Sequence, residues 1–219
     1  MKTAERTSTT PPEAIAITAI CFGWAILGSL RSAYAGFEST DFSDASFIGL
    51  IFIEVFCALL AFVVLFTRKY AVATLLPVPT IVGCGLGVLL YLAAWLAGSL
   101  LAAPFASTQT QPIESLVAQA TFSTVTLVAV SVVNGNYEEI FLLGYLARGL
   151  SSYGPSLAVG ISLLVRVLYH LYQGPVGALS ILGFGLVLGV YYIRTLSLFP
   201  VVFAHVLGDI IPFVFRPGP

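Results

Sequence analysis

Long apolar runs alternate with short polar connections along this chain. Six of the runs lie at about residues 14–30, 46–66, 80–102, 155–172, 176–193 and 199–215. Each is close to the roughly 20 mostly apolar residues that a helix needs to cross a bilayer. A further stretch, 116–150, would be about 52 Å long as one helix, which is more than a bilayer requires. The pattern predicts an all-α, polytopic transmembrane helical bundle with about seven spans.

The long stretch 116–150 is predicted to break or tilt, with its weakest point at Asn134, Gly135 and Asn136. Gly and Asn are poor helix formers, and a glycine inside a helix is a common site for a kink. The segment 83–87 contains three glycines. Such small residues favour close packing of one membrane helix against another.

Polar segments divide the chain into four parts. Residues 1–13 form a polar tail, 14–115 hold three transmembrane helices, 116–215 form a C-terminal helical core, and 216–219 are a short tail. The first part is predicted to be exposed, because it is polar and ends in two prolines before the first apolar run.

Basic residues mark one predicted side of the membrane. Arg68 and Lys69 follow the second run, Arg148 lies near the end of the long stretch, and Arg194 lies between the last two runs. The loop 32–45 contains no base and three acids, Glu38, Asp41 and Asp44. Because cytoplasmic loops carry an excess of Lys and Arg, the N-terminus is predicted to be cytoplasmic and the C-terminus outside.

Composition narrows the class of protein further. Of the 219 residues, 58% are hydrophobic and only 9% are charged, whereas a soluble domain has about 25% charged residues. The formal net charge of -1 argues against a nucleic-acid partner, which normally requires a basic surface. The three cysteines, Cys21, Cys57 and Cys84, lie in apolar runs without metal-ligand spacing, so packing roles are expected. The expected surroundings are therefore a lipid bilayer.

Two adjacent carboxylates, Glu138 and Glu139, lie inside sequence that otherwise predicts a lipid-buried helix. A charged group away from water is costly unless it is paired, hydrogen-bonded or hydrated. Ionisable residues within membrane helices are for this reason functional-site candidates, and their partners should lie elsewhere in the chain.

Candidate partners occur as two pairs at helical spacing. Arg166 and His170 are four residues apart, as are His205 and Asp209, so each pair lies on one helix face. Counted from the predicted cytoplasmic helix ends, the histidines, Asp209 and Glu138 lie about 14–24 Å deep. The three helices that carry these residues could therefore bring them to one cavity.

Simpler interpretations of the same residues are open. His170 lies close to Tyr169 and Tyr172 and could belong to an interfacial aromatic belt. His205 and Asp209 could form a simple interhelical hydrogen bond. Glu54 stands alone in the second run and is expected to pack or to face a cavity rather than to catalyse.

The order and spacing of these residues resemble the CPBP (CAAX protease and bacteriocin-processing, also called Abi) family of intramembrane proteases. Its pattern is Glu-Glu-x-x-x-Arg, then Phe-x-x-x-His on the following helix, then His-x-x-x-Asn/Asp on a later one. Here Glu138 with Glu139, His170, and His205 with Asp209 stand at the matching positions, within about residues 125–212.

Two positions depart from the family pattern. Leu143 stands in place of the first motif's arginine, and Arg166 stands in place of the second motif's phenylalanine. We expect Arg166 to supply the missing positive charge from the neighbouring helix.

The resemblance implies an endopeptidase in which Glu138, assisted by His170, activates a water, while His205 stabilises the oxyanion. Adjacent helical residues point about 100° apart, so Glu139 is expected to orient its neighbour. Asp209 is expected to orient His205, because a carboxylate repels an oxyanion. The cofactor is open: either none, or a single divalent metal such as zinc held by the histidines and carboxylates.

The expected substrate is a membrane-associated or lipidated peptide or protein, because it must reach a site within the bilayer. The compact chain looks like a prokaryotic member of the family, in the cell membrane. The alternative is a catalytically inactive member that acts as a bacteriocin-immunity or scaffold protein, which Leu143 favours. A transporter is disfavoured because repeated halves are not visible in the sequence.

Overall fold

A computed structural model describes residues 5–37, 42–105 and 111–215. The predicted acids Glu38 and Asp41 and the C-terminal tail 216–219 lie outside these residues. Among these residues, the α-helices of eight or more residues are α1 Pro11–Tyr34, α2 Asp44–Thr67, α3 Ile81–Ala102, α4 Pro112–Gln119, α5 Thr124–Glu139, α6 Pro155–His170, α7 Gly174–Thr195 and α8 Leu198–Val214. Helix α5 continues directly into a π-helix, Ile140–Ala147, and a last α-helical turn, Arg148–Leu150.

The predicted all-α transmembrane fold is confirmed. Within the described residues, four helical segments are long and apolar enough to cross a membrane, namely Pro11–Tyr34, Asp44–Thr67, Ile81–Phe105 and Pro155–Thr195. The last of these contains both α6 and α7, and α8 is a shorter apolar helix. With α5 and its continuation, the prediction of about seven spans agrees with the structure.

The long helices form a ring around the π-helix. Neighbouring helices pack in the order α1, α2, α5, α8, α3, α7, α6 and back to α1. The π-helix contacts α1, α6, α7 and α8, and all eight of its residues are buried. It fills the middle of the bundle at the end where α5 finishes. The middle of the other half is occupied by a cavity.

The break in the stretch 116–150 lies at residues 120–123, between α4 and α5. Two contacts with the start of α2 hold this connection: the Thr121 amide donates to the Phe42 carbonyl at 2.7 Å, and the Ser123 amide donates to Asp44 Oδ1 at 2.9 Å. The starts of α2 and α5 therefore lie at the same level.

The prediction of a break at Asn134, Gly135 and Asn136 is wrong, since all three lie inside α5. A Cβ on Gly135 would come within 2.9 Å of Val206 Cγ2, so α5 needs a glycine to pack against α8. Asn136 donates its side-chain amide to the Val132 carbonyl within the same helix. Tertiary packing thus overrides a weak local helix propensity.

Within the predicted exposed tail, Ser8 and Thr10 are exposed, but Thr9 between them is buried. Its amide donates to the Gly149 carbonyl at 3.0 Å, and its hydroxyl lies 2.8 Å from the Tyr145 hydroxyl. The Arg6 amide donates to the Lys69 carbonyl at 3.2 Å. This segment therefore ties the end of α2 to the π-helix and the last helical turn that follow α5.

The predicted close packing of the glycine segment is confirmed at two of its glycines. A Cβ on Gly83 would lie 2.6 Å from Phe199, and a Cβ on Gly87 would lie 2.7 Å from Phe203. Gly85 has no described neighbour within 4 Å. The α3 to α8 contact is thus built on small residues four apart.

Candidate active site

Glu138 and Glu139 end helix α5 and point to different surroundings. Glu138 lines the cavity inside the bundle, whereas Glu139 is fully buried behind the cavity wall. Their separation follows from the turn of about 100° between adjacent residues of a helix. A π-helix begins at the next residue, and its Leu142 carbonyl accepts a hydrogen bond from the Ser162 hydroxyl of α6 at 3.0 Å. Such π-helical segments are frequent at functional sites.

Arg166, from α6, lies against both glutamates. Its Nη2 donates to Glu139 Oε1 at 2.7 Å, and its Nη1 lies 3.4 Å from Glu138 Oε2. The arginine side chain is only 2% exposed. One guanidinium therefore counters two buried carboxylates, at the position where the family pattern has phenylalanine.

Leu143 is buried in the apolar core, and its Cδ2 would lie 3.9 Å from a Cβ built on Gly189 of α7. The positive charge beside the glutamates thus comes from another helix.

His205, on α8, is held by Glu139. Its Nδ1 lies 2.6 Å from Glu139 Oε1, while its Nε2 lies 3.6 Å from Asp209 Oδ1 and 3.7 Å from Glu138 Oε2. Glu139 makes the hydrogen bond to this ring, and Asp209, the residue expected to orient it, lies beside the other ring nitrogen. The second ring nitrogen faces the cavity between two carboxylates.

Two polar contacts of the site had not been predicted from the sequence. The Tyr169 hydroxyl donates a hydrogen bond to Glu138 Oε2, and its ring stacks on Phe22 of α1 with 5.1 Å between ring centroids. The Asn134 amide donates to Asp209 Oδ2 at 3.1 Å. Tyr169 stands next to His170, and Asn134 stands four residues before Glu138. Their positions relative to these predicted site residues were the signal by which the sequence could have indicated them.

His170 ends α6 and lines the same cavity. Its Nδ1 lies 2.9 Å from the Arg166 carbonyl oxygen, to which only a protonated nitrogen can donate. In the neutral ring, Nε2 is then the acceptor. The ring also lies 4.4 Å from Tyr169 and 6.2 Å from Tyr172 between centroids. Among the described residues, no hydrogen bond joins His170 to either glutamate.

The cavity has a volume of about 720 Å³, which is within the range of small-ligand sites. Its polar lining includes Glu54, Glu138, Arg166, His170, His205 and Asp209. These residues come from α2, α5, α6 and α8. At one end the wall is aromatic and apolar, with Phe42, Ile113 and Phe213. The structure thus brings the predicted site residues, with the exception of Glu139, onto one cavity wall.

The donor set suits a metal ion poorly. In the described part of the chain, no group of three or more His, Cys, Asp or Glu side chains is arranged to hold a metal. Glu139 Oε1 is already bonded to Arg166 and His205, and Arg166 also lies beside Glu138. A guanidinium at this position repels a divalent cation.

The comparison with known proteins concerns the C-terminal part of the chain. The family model described as "Type II CAAX prenyl endopeptidase Rce1-like" matches residues 120–211. No curated protein and no solved structure matches the chain. The matched segment contains Glu138, Glu139, Arg166, both histidines and Asp209. It belongs to the CAAX protease (CPBP) family of intramembrane proteases, the family that its motifs resemble.

Proposed function

We propose that this protein is an intramembrane endopeptidase of the CAAX-protease type that hydrolyses a membrane-associated or lipidated peptide without a metal. The observation that carries the proposal is the position of Glu138. Its carboxylate lines a large cavity inside a membrane bundle, and both histidines line the same cavity.

Glu138 is the proposed general base. Tyr169, Arg166 and His205 all approach its Oε2, so Oε1 is the candidate atom to accept a proton from water. His170 presents Nε2 as an acceptor and would hold the same water. As the proton moves to Glu138, the water oxygen attacks the carbonyl carbon of the peptide bond, and the carbonyl oxygen becomes an oxyanion.

His205 is the proposed oxyanion donor. Glu139 accepts from Nδ1 and fixes the ring, so a proton on Nε2 would point towards the cavity. When the tetrahedral intermediate collapses, the C–N bond breaks and Glu138 returns its proton to the leaving amine. Asp209, held by Asn134, would stabilise the positive charge of His205 without touching the oxyanion.

We also propose that the N-terminus is cytoplasmic and the C-terminus outside, in a prokaryotic cell membrane. Arg68, Lys69, Arg148 and Arg194 lie at helix ends on one side of the bundle, and the positive-inside rule assigns that side to the cytoplasm. The cavity lies towards the other end, where Phe42 and Phe213 line it. Substrate would then approach from the outer half of the bilayer.

The decisive experiment is hydrolysis by the full chain reconstituted in lipid, with a library of membrane-anchored peptides. Glu138→Gln keeps the size of the side chain but removes the base. We expect it to lower kcat by about 10²–10⁴-fold, the usual contribution of general acid–base catalysis. Arg194→Leu, at an exposed position on α7, is the control and should leave kcat unchanged. Cleavage that persists in Glu138→Gln would reject Glu138 as the base, whereas a wild type that cleaves no peptide would favour the scaffold alternative.

A further inference from the structure

Glu54 is a buried acid outside the segment that matches the family. It lies in α2 and is 2% exposed, whereas its neighbours Ile53 and Val55 are 42% and 44% exposed. The glutamate therefore faces into the bundle while the residues beside it face outward. Its side chain lines the same cavity as Glu138.

The Glu54 carboxyl lacks a partner of the kind that the other two glutamates have. Its Oε2 is buried without a hydrogen-bond partner among the described residues. Glu139 Oε2 and the Tyr192 hydroxyl share this property, but neither residue lines the cavity. An unpaired buried polar atom is costly, and at Glu54 a ligand in the cavity could offset that cost.

The charge of the cavity wall indicates the kind of ligand. Glu54, Glu138 and Asp209 contribute three carboxylates to the wall, and Arg166 is the one Arg or Lys there among the described residues. That guanidinium is already shared between Glu138 and Glu139. Even with His205 positively charged, the wall holds three carboxylates against two cations. This excess of acids attracts a cationic group and repels a substrate carboxylate.

The position of Glu54 along the bundle axis sets its distance from Glu138, the proposed general base. Helices α2 and α5 start at one level, where Ser123 donates to Asp44, and both run in the same direction. Glu54 comes ten residues after Asp44, and Glu138 comes fourteen after Thr124. At 1.5 Å per residue, Glu54 is about 6 Å nearer the outer end of the cavity. This corresponds to about two residues of an extended peptide.

We infer that Glu54 is a substrate-recognition residue that pairs with a Lys or Arg side chain about two residues from the scissile bond. The inference rests on the proposed function, because it names a feature of the substrate that the same cavity would take. Through Glu54, helix α2 helps to determine which substrates the protein cleaves.

The test compares membrane-anchored apolar peptides that carry one lysine, one norleucine or one glutamate at each position along the chain. For the wild type we expect kcat/KM to be at least tenfold higher with lysine than with norleucine. The optimum should fall one to three residues from the scissile bond, and glutamate there should be the poorest. Glu54→Gln should abolish the preference for lysine through KM and leave the norleucine peptide unaffected.

Glu114→Gln is the matched control, because it removes an exposed carboxylate on α4 and should keep the preference. A wild-type protein without a lysine preference overturns the inference even if Glu54→Gln fails to fold. If the wild type cleaves no peptide, the proposed function fails. In that case, equilibrium binding of the same lysine and norleucine peptides to the wild type tests whether Glu54 recognises a cationic side chain. The inference on Glu54 is supported if the lysine peptide binds at least tenfold more tightly than the norleucine peptide and Glu54→Gln removes this difference. Equal affinities of the wild type for the two peptides overturn it.

Discussion

Replacing Arg166 by leucine tests the central electrostatic feature of this fold. The side chain is 2% exposed and lies 2.7 Å from Glu139 and 3.4 Å from Glu138, whose side chains are 0% and 6% exposed. Arg166→Leu would leave two adjacent carboxylates beside each other without this counter-charge. Removing one partner of a buried ion pair typically costs about 3–5 kcal/mol, because the remaining charge is buried and unpaired. We expect a loss in this range.

The measurement is the free energy of unfolding of the full chain in detergent micelles, from equilibrium denaturation. Arg194→Leu is the matched control, since this arginine is exposed at the end of α7. A surface substitution of that kind should change the free energy by no more than about 0.5 kcal/mol. The comparison separates the effect of removing a buried arginine from the effect of the same Arg-to-Leu change at an exposed position.

A compensating variant makes the reasoning refutable. When Arg166→Leu is combined with Glu138→Gln and Glu139→Gln, the uncompensated charges are gone. We expect at least about 2 kcal/mol of the loss to return, because a neutral replacement of a buried ion cluster is often tolerated. If Arg166→Leu is within about 1 kcal/mol of the wild type, the guanidinium does not hold the glutamates. The same conclusion follows if the triple variant is as unstable as the single one.

Two other predictions concern packing and orientation. Gly87→Ala should destabilise the protein by about 1–3 kcal/mol through overpacking, because its Cβ would lie 2.7 Å from Phe203 and 3.0 Å from the Pro200 carbonyl. Gly85→Ala, with open space at its Cβ, should be neutral or slightly stabilising in the same denaturation assay, and equal losses would contradict the packing argument. For orientation, a membrane-impermeant thiol reagent should label Gln173→Cys in intact cells but not Arg194→Cys, since these residues lie at opposite ends of α7. Labelling of Arg194→Cys alone would reverse the proposed topology.

The sequence by itself determined the class of fold. Apolar runs of bilayer length can satisfy their backbone polar groups in lipid only as helices or closed barrels, and these runs are long enough for helices. The same constraint makes intramembrane ionisable residues stand out, so Glu138, Arg166 and His205 could be selected without a structure. Their spacing along helices also predicted which of them share a face.

Tertiary structure decided how these groups are paired. Glu139, not Asp209, bonds to His205, and Asp209 is instead bonded to Asn134. Tyr169 is a partner of Glu138. These choices depend on the rotation and height of each helix, and a one-dimensional pattern constrains them only to within about a helical turn.

Long-range contacts also decided where the chain breaks. Local propensity predicted a break at Gly135, but that residue is needed where α5 meets Val206 of α8. The connection at Ser123 is instead held by Asp44, which is 79 residues away in sequence. Thr9 is likewise buried by contacts with Tyr145 of the π-helix and Gly149 of the turn that follows it. Propensity acts between neighbours in the chain, whereas these outcomes depend on residues that meet only after the helices have packed.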